Sequence, residues 1–253
     1  MIHFEVNGRV AVITLDRPEA RNAINAEMAE AMESAIDRLE HDDELWVGIL
    51  THNGPAFCAG ADLKEIAAGN AGGLWTKRGG FGGIVLRERI KPLIAAVDGH
   101  AVAGGTEIAL ACDLRVASTA TMFGIPEVKR SLVAAAGGLV RLPRVLPPAI
   151  AMELAITGDT ITAERAYHFG MINQLCEPGA VIDSAMALAD RVLANAPLAV
   201  QASRRLILDA PEQTDAEGMR NASEAMAALS STNDYAEGPR AFIEKRAPKW
   251  KGC

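Results

Sequence analysis

Short apolar runs alternate with helix-forming segments through the first two-thirds of the chain, and glycine-containing turns separate them. The runs WVGILT (46–51), PLIAAV (92–97) and LRVAS (114–118) have the length and apolar character of buried strands. A helical segment, TEIALACD (106–113), lies between the second and third runs. This alternation predicts an α/β architecture in which helices cover the strands.

Two local patterns stand out near the N-terminus. Residues 2–15 predict a β-hairpin, because IHFEV and VAVITL flank Asn7-Gly8, a dipeptide that tolerates the positive φ angles of a two-residue turn. Residues 25–40 predict a helix with Asn25 as its N-cap. The apolar side chains of that helix fall on one stripe, formed by Met28, Met32, Ile36 and Leu39.

Glycine is concentrated in residues 69–83, which contain seven glycines. We expect an irregular loop there, with a conformation that depends on a ligand, and a helix after it. From about residue 140 onward the pattern is helical, with only a short strand at MINQL (171–175). The chain therefore predicts an α/β core followed by a helical extension.

The composition excludes several classes of protein. The chain has 25 basic and 32 acidic residues, and its net charge of −7 argues against general nucleic-acid binding, which needs a basic face. A hydrophobic content of 49% excludes a disordered chain. No apolar run predicts a transmembrane helix and no secretory signal pattern is present, so we expect no membrane partner. The cysteines lack paired spacing, which predicts reduced thiols and a cytoplasmic location. They are Cys58, Cys112, Cys176 and Cys253.

The sequence shows no metal-binding, nucleophile-elbow or nucleotide-binding motif. GxSxG, GxGxxG and GxxxxGK[ST] are all absent. The histidines lack the spacing of metal ligands, so we expect no metal site. They are His3, His41, His52, His100 and His168.

Two segments with small residues each end a strand and begin a helix: FCAGADLK (57–64) and AGGTE (103–107). Backbone N–H groups at such turns are unpaired and can stabilise a negative charge that develops on a ligand oxygen. The alternative is that each turn merely needs glycine, with Glu107 stabilising its helix through the helix dipole.

A second carboxylate, Glu127, follows the apolar run FGIP (123–126) and could equally be a solvated strand end. Together, Glu107 and Glu127 near two donor turns form a more specific set. Acid–base chemistry on a neutral water needs a proton acceptor and a proton donor close together.

Taken together, these segments resemble the crotonase family, also called the enoyl-CoA hydratase/isomerase family. The ordered combination of AGADLKE, AGGTE and PEV is the most specific part of the resemblance. It implies a spiral of repeated ββα units as the core, over residues 1–195, with an oxyanion hole and two catalytic glutamates. It also implies a helical C-terminal region, residues 196–253, that serves oligomerisation and closes the CoA site. Further matching segments are LDRPEARNAIN (15–25), KPLIAAVDGHAVAGGTEIALACDLRVA (91–117), AITGDTITAERAYHFGMIN (155–173) and EGPRAFIEKRAPKW (237–250).

The resemblance implies a role for four residues at the reacting centre. The backbone N–H groups of Ala61 and Gly104 would form the oxyanion hole for the thioester carbonyl oxygen. Glu107 would be the base toward the water that attacks C3, and Glu127 the proton donor to C2. Because adjacent carboxyl groups resist double ionisation, we expect the pair to share a proton.

The resemblance also implies a strip of CoA contacts along the AGADLK and DRPEARNAI segments. Arg21 stands where the family pattern has leucine, and Glu19 stands where it has lysine, so the charge that would meet the phosphates is rearranged. Lys245 is either a phosphate contact or part of a solvated helix face. The expected CoA contacts are Ala20, Arg21, Ala59, Ala61, Asp62, Leu63 and Lys64.

Two segments are expected to shape the acyl end of the site. The segment KRSLVAAAGGLVRL (129–142) has three alanines around the place where many family hydratases have Pro-Gly. The loop 69–83 brings Trp75 and Phe81. Straight-chain, branched, ring-bearing and carnitinyl-type thioesters all stay open as substrates.

The presence of both glutamates favours an enoyl-CoA hydratase. Such a hydro-lyase adds water across the C2=C3 bond of a trans-2-enoyl-CoA to give a 3-hydroxyacyl-CoA, in the breakdown of fatty acids, lipids or related acyl-CoA compounds. The alternatives are an enoyl-CoA isomerase, a specialised dehydratase such as a carnitinyl-CoA type, and a non-catalytic acyl-CoA-binding protein. The resemblance implies an acyl-CoA substrate, no separate cofactor, and a homotrimer or a dimer of trimers.

Overall fold

The computed structural model describes residues 1–253 and has the mixed α/β architecture that the sequence predicts. The strands are β1 (Ile2–Asn7), β2 (Val10–Leu15), β3 (Val47–His52), β4 (Ala56–Cys58), β5 (Trp75–Thr76), β6 (Gly80–Phe81), β7 (Leu93–Val97), β8 (His100–Val102), β9 (Leu114–Ser118), β10 (Met122–Gly124), β11 (Thr160–Thr162) and β12 (Gln174–Cys176). The α-helices are α1 (Ala26–His41), α2 (Leu63–Ala67), α3 (Gly104–Ala111), α4 (Gly138–Val145), α5 (Pro148–Thr157), α6 (Ala163–His168), α7 (Val181–Leu193), α8 (Pro197–Asp209), α9 (Asp215–Leu229) and α10 (Asn233–Ile243). Short 3-10 helices span Pro18–Ala20, Ala71–Leu74, Pro126–Arg130 and Ala210–Glu212.

The larger sheet has six strands in the order β1-β2-β3-β7-β9-β12. β1 and β2 form an antiparallel hairpin, and every later pair is parallel. The side chains of β7 alternate between two buried clusters. Leu93 and Ala95 pack in the cluster that contains the apolar stripe of α1, whereas Ile94 and Ala96 pack in the one that contains α7. Both faces of the sheet are therefore covered, which explains why its strands read as continuous apolar runs.

The smaller sheet, ordered β11-β10-β8-β4, positions the candidate site. β4, β8 and β10 run parallel, so their carboxyl ends lie at the same edge. β4 leads through Gly60 and Ala61 toward α2, and β8 leads into α3 with Glu107 in its first turn. β10 leads into the 3-10 helix that carries Glu127. Three segments that are distant in the chain thus meet at one edge of this sheet.

The hairpin and the first helix are confirmed, with one shift in register. The turn begins at Gly8, because Asn7 still pairs with Val10, so it lies one residue later than predicted. Gly8 has a φ of +58°, which glycine adopts at no steric cost. Asn25 is the N-cap of α1, and its side chain accepts a hydrogen bond of 2.9 Å from the Met28 N–H.

The glycine-rich segment is more ordered than predicted, and the helix expected after it is absent. The segment forms a 3-10 helix and the β5–β6 hairpin. Residues 84–90 contain turns, irregular backbone and a bend instead of a helix. At the end of this stretch the N–H groups of Ile90 and Lys91 donate to the Glu40 carboxylate on α1. Tertiary hydrogen bonds have replaced the local pairing that a helix would need.

The last third of the chain is helical as predicted, from α4 to α10. β12 lies at the predicted MINQL strand, whereas β11 was not predicted because three residues are too few to show a pattern. The division at residues 195 and 196 stays a prediction, although α8 does begin nearby, at Pro197. None of the helices is both long and apolar enough to cross a bilayer.

Asn22 ties the segment before α1 to the strands beside the candidate site. It is fully buried and has a φ of +54°, a conformation that Asn tolerates better than most residues. Its Oδ1 accepts a hydrogen bond of 2.7 Å from the Arg17 N–H. Its Nδ2 donates to the carbonyls of Asn53 at 2.9 Å and Ala56 at 2.8 Å.

Asn22→Ala removes all three hydrogen bonds. It leaves the Arg17 N–H and the carbonyls of Asn53 and Ala56 without a side-chain partner. We expect the free energy of unfolding to fall by about 3 kcal/mol, measured by urea denaturation. Asn70→Ala is the control, because Asn70 is exposed and its side chain bonds only to an exposed part of Glu65. Similar losses in both variants would contradict the structural role of Asn22.

Candidate active site

A cavity of about 570 Å³ opens at the carboxyl ends of β4, β8 and β10, and its walls are mostly apolar. Ala61 and Gly104 lie in its lining, as do Glu107 and Glu127. The structure therefore brings together the four residues that the sequence analysis placed at the reacting centre.

Two backbone turns meet at one wall of this cavity. A Cβ atom on Gly60 would lie 2.9 Å from the Gly104 nitrogen, and one on Gly105 would lie 2.0 Å from the Cys58 carbonyl oxygen. The turns approach this closely only because both positions are glycine. Ala103 joins β8 to α3 with a φ of +53°, a strained value for a residue with a side chain. This conformation sets the N-terminus of α3 against the Gly60 turn.

Ala61 and Gly104 each keep a backbone N–H group that is not used by the secondary structure. Ile24 pairs with the Ala61 segment as an isolated parallel bridge. The Ile24 N–H donates to the Gly60 carbonyl at 2.8 Å, and the Ile24 carbonyl accepts from the Asp62 N–H at 2.9 Å. These bonds use the groups on either side of Ala61 and leave its own N–H free. Gly104 is the first residue of α3, so its N–H has no acceptor within the helix.

Glu107 points from the first turn of α3 into a dry part of the site. Its residue is only 3% exposed, and its Oε1 accepts a hydrogen bond of 2.8 Å from the Gly138 N–H. Burial raises the pKa of this carboxyl to about 7, and the nearby Glu127 carboxylate adds to the rise. The Gly138 N–H and the Arg141 guanidinium act in the opposite direction.

Glu127 lies in the 3-10 helix Pro126–Arg130 and is half-buried. Its Oε2 is shielded from solvent and makes no hydrogen bond to the protein. Burial raises the pKa of this carboxyl, while the charge of Arg130 opposes the rise. An acceptor oxygen that the protein does not satisfy is suited to a bond with a reactant.

The charge of one carboxyl group affects the ionisation of the other. Each has a raised pKa, and the negative charge of Glu127 makes ionisation of Glu107 harder. Repulsion between neighbouring carboxylates favours retention of a proton by the pair. Such a pair offers one proton acceptor and one proton donor at the same place.

The structure places only some of the expected CoA contacts in the cavity lining. Arg21, Ala59 and Leu63 line the cavity, whereas Ala20 and Lys64 do not. Arg21 forms no ion pair within the protein, so its charge is available at the cavity wall. Of the predicted contacts, these three and Ala61 have the position to meet a ligand inside the cavity.

Asp62 has a structural position rather than a place in the cavity lining. It is buried, its Oδ1 caps α2 by accepting from the Lys64 N–H at 2.9 Å, and its Oδ2 pairs with Arg17 at 2.7 Å. The Arg17 bond lowers the pKa of this carboxyl. Asp62 thus holds the turn that presents Ala61. Lys245 is exposed in a left-handed turn after α10 and does not line the cavity.

Both segments that were expected to shape the acyl end do line the cavity. Trp75 and Phe81 are edge to face, with ring centroids 5.7 Å apart and planes at 64°. Leu132 and Val133 come from the alanine-containing segment on another wall. Together these four side chains supply much of the apolar lining of the cavity.

Sequence reasoning missed three groups around the glutamates. Gly138 supplies the N–H that binds Glu107, Arg141 lies close to the same carboxyl, and Arg130 lines the cavity beside Glu127. The Gly137-Gly138 pair was a visible signal of a special turn. Nothing in the local pattern shows toward which carboxyl an arginine side chain turns.

Comparisons with known proteins agree with this geometry. The enoyl-CoA hydratase/isomerase family matches residues 5–253. A carnitinyl-CoA dehydratase from Salmonella typhi is 40% identical, over 99% of this chain and 98% of the relative. The crystal structure of an enoyl-CoA hydratase from Mycobacterium tuberculosis H37Rv is 46% identical, with a TM-score of 0.96 over 100% of this chain and 99% of that one. A carnitinyl-CoA hydratase from Mycobacterium avium is 42% identical, with a TM-score of 0.77 over 100% and 98% of the two chains.

The raised pKa of Glu107 predicts a specific dependence of stability on pH. Between about pH 4.5 and pH 7 the folded protein holds a proton on this carboxyl that the unfolded chain has lost, so stability falls as pH rises through this window. Glu107→Gln cannot ionise and removes this fall. We expect the variant to gain about 3 kcal/mol relative to the parent between pH 4.5 and pH 8, measured by urea denaturation. Glu5→Gln, at an exposed position, should show no such gain.

Proposed function

The chain belongs to the enoyl-CoA hydratase/isomerase family, and within it we propose that the protein is an enoyl-CoA hydratase. The proposed reaction adds water across the C2=C3 bond of a trans-2-enoyl-CoA and gives a 3-hydroxyacyl-CoA. One observation carries the proposal: two carboxyl groups with raised pKa values share a cavity with two unpaired backbone N–H groups. That combination provides the acid, the base and the oxyanion donors for the reaction.

In this mechanism the N–H groups of Ala61 and Gly104 donate to the thioester carbonyl oxygen. Attack of water at C3 moves the π electrons of C2=C3 toward that oxygen and gives an enolate. Two donors that are already in place stabilise this charge more than they stabilise the neutral thioester. Each contributes about 3 kcal/mol to the transition state.

Glu107 accepts a proton from the attacking water, and Glu127 gives a proton to C2. The new bonds are C3–O and C2–H, and the proton gained by Glu107 returns to Glu127 before the next turnover. Glu127 must therefore be protonated and Glu107 ionised when the substrate is bound. An acyl group that covers the half-buried Glu127 favours its protonated form, because losing water raises the pKa of a carboxyl.

The CoA part of the substrate would lie along the wall formed by Ala59, Ala61 and Leu63. Arg21 is the cation at that wall, and a guanidinium can bind a phosphate through two donors. The remaining expected contacts, Ala20, Asp62 and Lys64, would act through the backbone or outside the cavity.

A carnitinyl-type dehydratase is the second candidate, because a carnitinyl-CoA dehydratase is 40% identical to this chain and a carnitinyl-CoA hydratase is 42% identical. The aromatic faces of Trp75 and Phe81 are of the type that binds a trimethylammonium group. Arg130, however, adds a positive charge to the same cavity and disfavours a cationic acyl group. We therefore expect faster hydration of crotonyl-CoA than of crotonobetainyl-CoA.

Neither an isomerase nor a non-catalytic acyl-CoA-binding protein would need two carboxyl groups in this cavity. Isomerases that resemble this chain need one carboxylate, at the place of Glu127, whereas this cavity holds two. A protein that only bound acyl-CoA would gain thermal stability from the ligand without turning it over.

We also propose a homotrimer or a dimer of trimers, built partly on the C-terminal helices. α9 buries none of its residues within the chain, and large apolar side chains on α9 and α10 are exposed. These exposed side chains include Met219, Met226, Phe242 and Ile243. An apolar face of this extent is typical of a surface that a second chain covers.

Light scattering should give a mass three or six times that of the 26.7 kDa chain. Phe242→Glu should weaken the assembly, since it places a charge on the exposed apolar face, whereas Glu224→Gln, on α9, should leave the mass unchanged. A monomeric parent protein would contradict the assembly.

Glu107→Gln and Glu127→Gln should each slow the hydration of crotonyl-CoA by about 100-fold or more, because each removes one proton-transfer group. The measurement is the loss of enoyl-thioester absorbance. Glu65→Gln, outside the cavity lining, should keep the parent rate. A nearly silent Glu107→Gln beside an inactive Glu127→Gln would favour the isomerase. No turnover of any short or medium enoyl-CoA would refute the hydratase.

A further inference from the structure

Arg141 lies on α4, one turn after Gly138, and holds the segment that approaches Glu107. Its Nη1 donates to the Ala136 carbonyl at 3.2 Å, and its Nη2 donates to the Val85 carbonyl at 2.5 Å. The guanidinium therefore joins the start of α4 to the turn that follows the β5–β6 hairpin. Both bonds depend on the forked shape of the arginine head group.

The Gly137-Gly138 turn is shaped around this guanidinium. Gly137 has a φ of +102°, and a Cβ atom there would lie 2.0 Å from the Arg141 Nη1. A Cβ atom on Gly138 would lie 3.1 Å from the Glu107 Oε1. The glycine pair thus lies between Arg141 and the Glu107 carboxyl. A shift of the Arg141 side chain therefore displaces the Gly138 N–H, from which Glu107 accepts a hydrogen bond.

Arg141 is also a half-buried cation without a carboxylate partner. None of its nitrogen atoms forms an ion pair, and its two hydrogen bonds go to neutral carbonyls. Burial lowers the pKa of its guanidinium, and the strongest opposing influence is Glu107. Glu107 is therefore the anion that chiefly compensates this buried charge.

The other charged or titratable groups around this pair come from four elements. Glu127, in the 3-10 helix after β10, acts on Glu107, and Arg144 acts on Arg141 from α4 itself. Arg89, in the segment before β7, and Cys112, at the end of α3, also act on Arg141. Arg89 is itself paired with Asp113, with Nη1 and Oδ2 3.2 Å apart.

We propose that Arg141 is a positioning residue that aims the Gly138 N–H at Glu107 and keeps that carboxyl able to ionise inside a dry cavity. The inference rests on the proposed role of Glu107 as the base. The Glu107 carboxylate is buried away from water, so the protein must supply both a hydrogen bond to it and a compensating positive charge. Arg141 supplies the charge and holds the donor.

The experiment compares Arg141→Gln, Arg141→Lys and the control Arg144→Gln, which removes an exposed arginine on the same helix. The first readout is an NMR titration of ¹³C-labelled glutamate carboxyls, in which the Glu107 signal is the one missing from Glu107→Gln. We expect Arg141→Gln to raise the midpoint of Glu107 by about one pH unit or more, since a charge has been removed beside it. Arg144→Gln should move it by much less.

The second readout is the pH profile of crotonyl-CoA hydration. For Arg141→Gln the acidic limb should move to higher pH with the NMR midpoint, so that kcat/KM at pH 7 falls about fivefold for a shift of one unit. KM should change little, because Arg141 does not line the substrate cavity. Arg141→Lys keeps the charge but not the fork, so its midpoint should stay near that of the parent while its kcat falls.

An unchanged Glu107 midpoint in folded Arg141→Gln would overturn the proposal. So would a midpoint in Arg141→Lys that differs from the parent as much as that of the glutamine variant does. If Arg141→Gln does not fold, the lysine variant decides alone. A Glu107 midpoint like that of the parent together with a reduced kcat supports the proposal. A kcat like that of the parent refutes it. The NMR titration needs no turnover. A shifted midpoint in a protein that hydrates no enoyl-CoA would therefore reject the hydratase and keep the electrostatic role of Arg141.

Discussion

The parallel pairing of β4, β8 and β10 is the constraint on which the candidate site depends. It places three strand ends at one edge, so that residues about 65 positions apart in the chain become neighbours. Within this frame, Gly60 and Gly105 allow two turns to touch, and the strained Ala103 sets the start of α3 against the first turn. Two unpaired N–H groups at one wall are a consequence of this packing.

The chemistry of the site comes from a balance between burial and compensation. Burial raises the pKa of both glutamates, and a pair of neutral acids would contain no base. The Gly138 N–H and Arg141 act on Glu107, and Arg130 acts on Glu127, each against the effect of burial. These groups therefore favour ionisation of the carboxyls, which a site that needs a base as well as an acid requires.

Much of the fold could be predicted from the sequence, because strands, helices and turns leave local patterns. The N-cap at Asn25 and the buried runs of β3 and β7 are examples. The failures occur where distant contacts override local preference. Residues 84–90 do not form the expected helix, and their end is bonded to Glu40 on α1. Asp62 pairs with Arg17 and caps α2, and no local pattern shows the pairing with Arg17.

By itself, the sequence determined the alternation of strands and helices, the small residues at two strand ends and the two carboxylates that follow them. These features depend on residue type and spacing, which the chain carries locally. Only the tertiary structure decided which N–H groups stay unpaired, how dry each glutamate is and which arginine lies beside it. Those properties depend on the direction of side chains and on the exclusion of water, and both arise from contacts between segments that are distant in the chain.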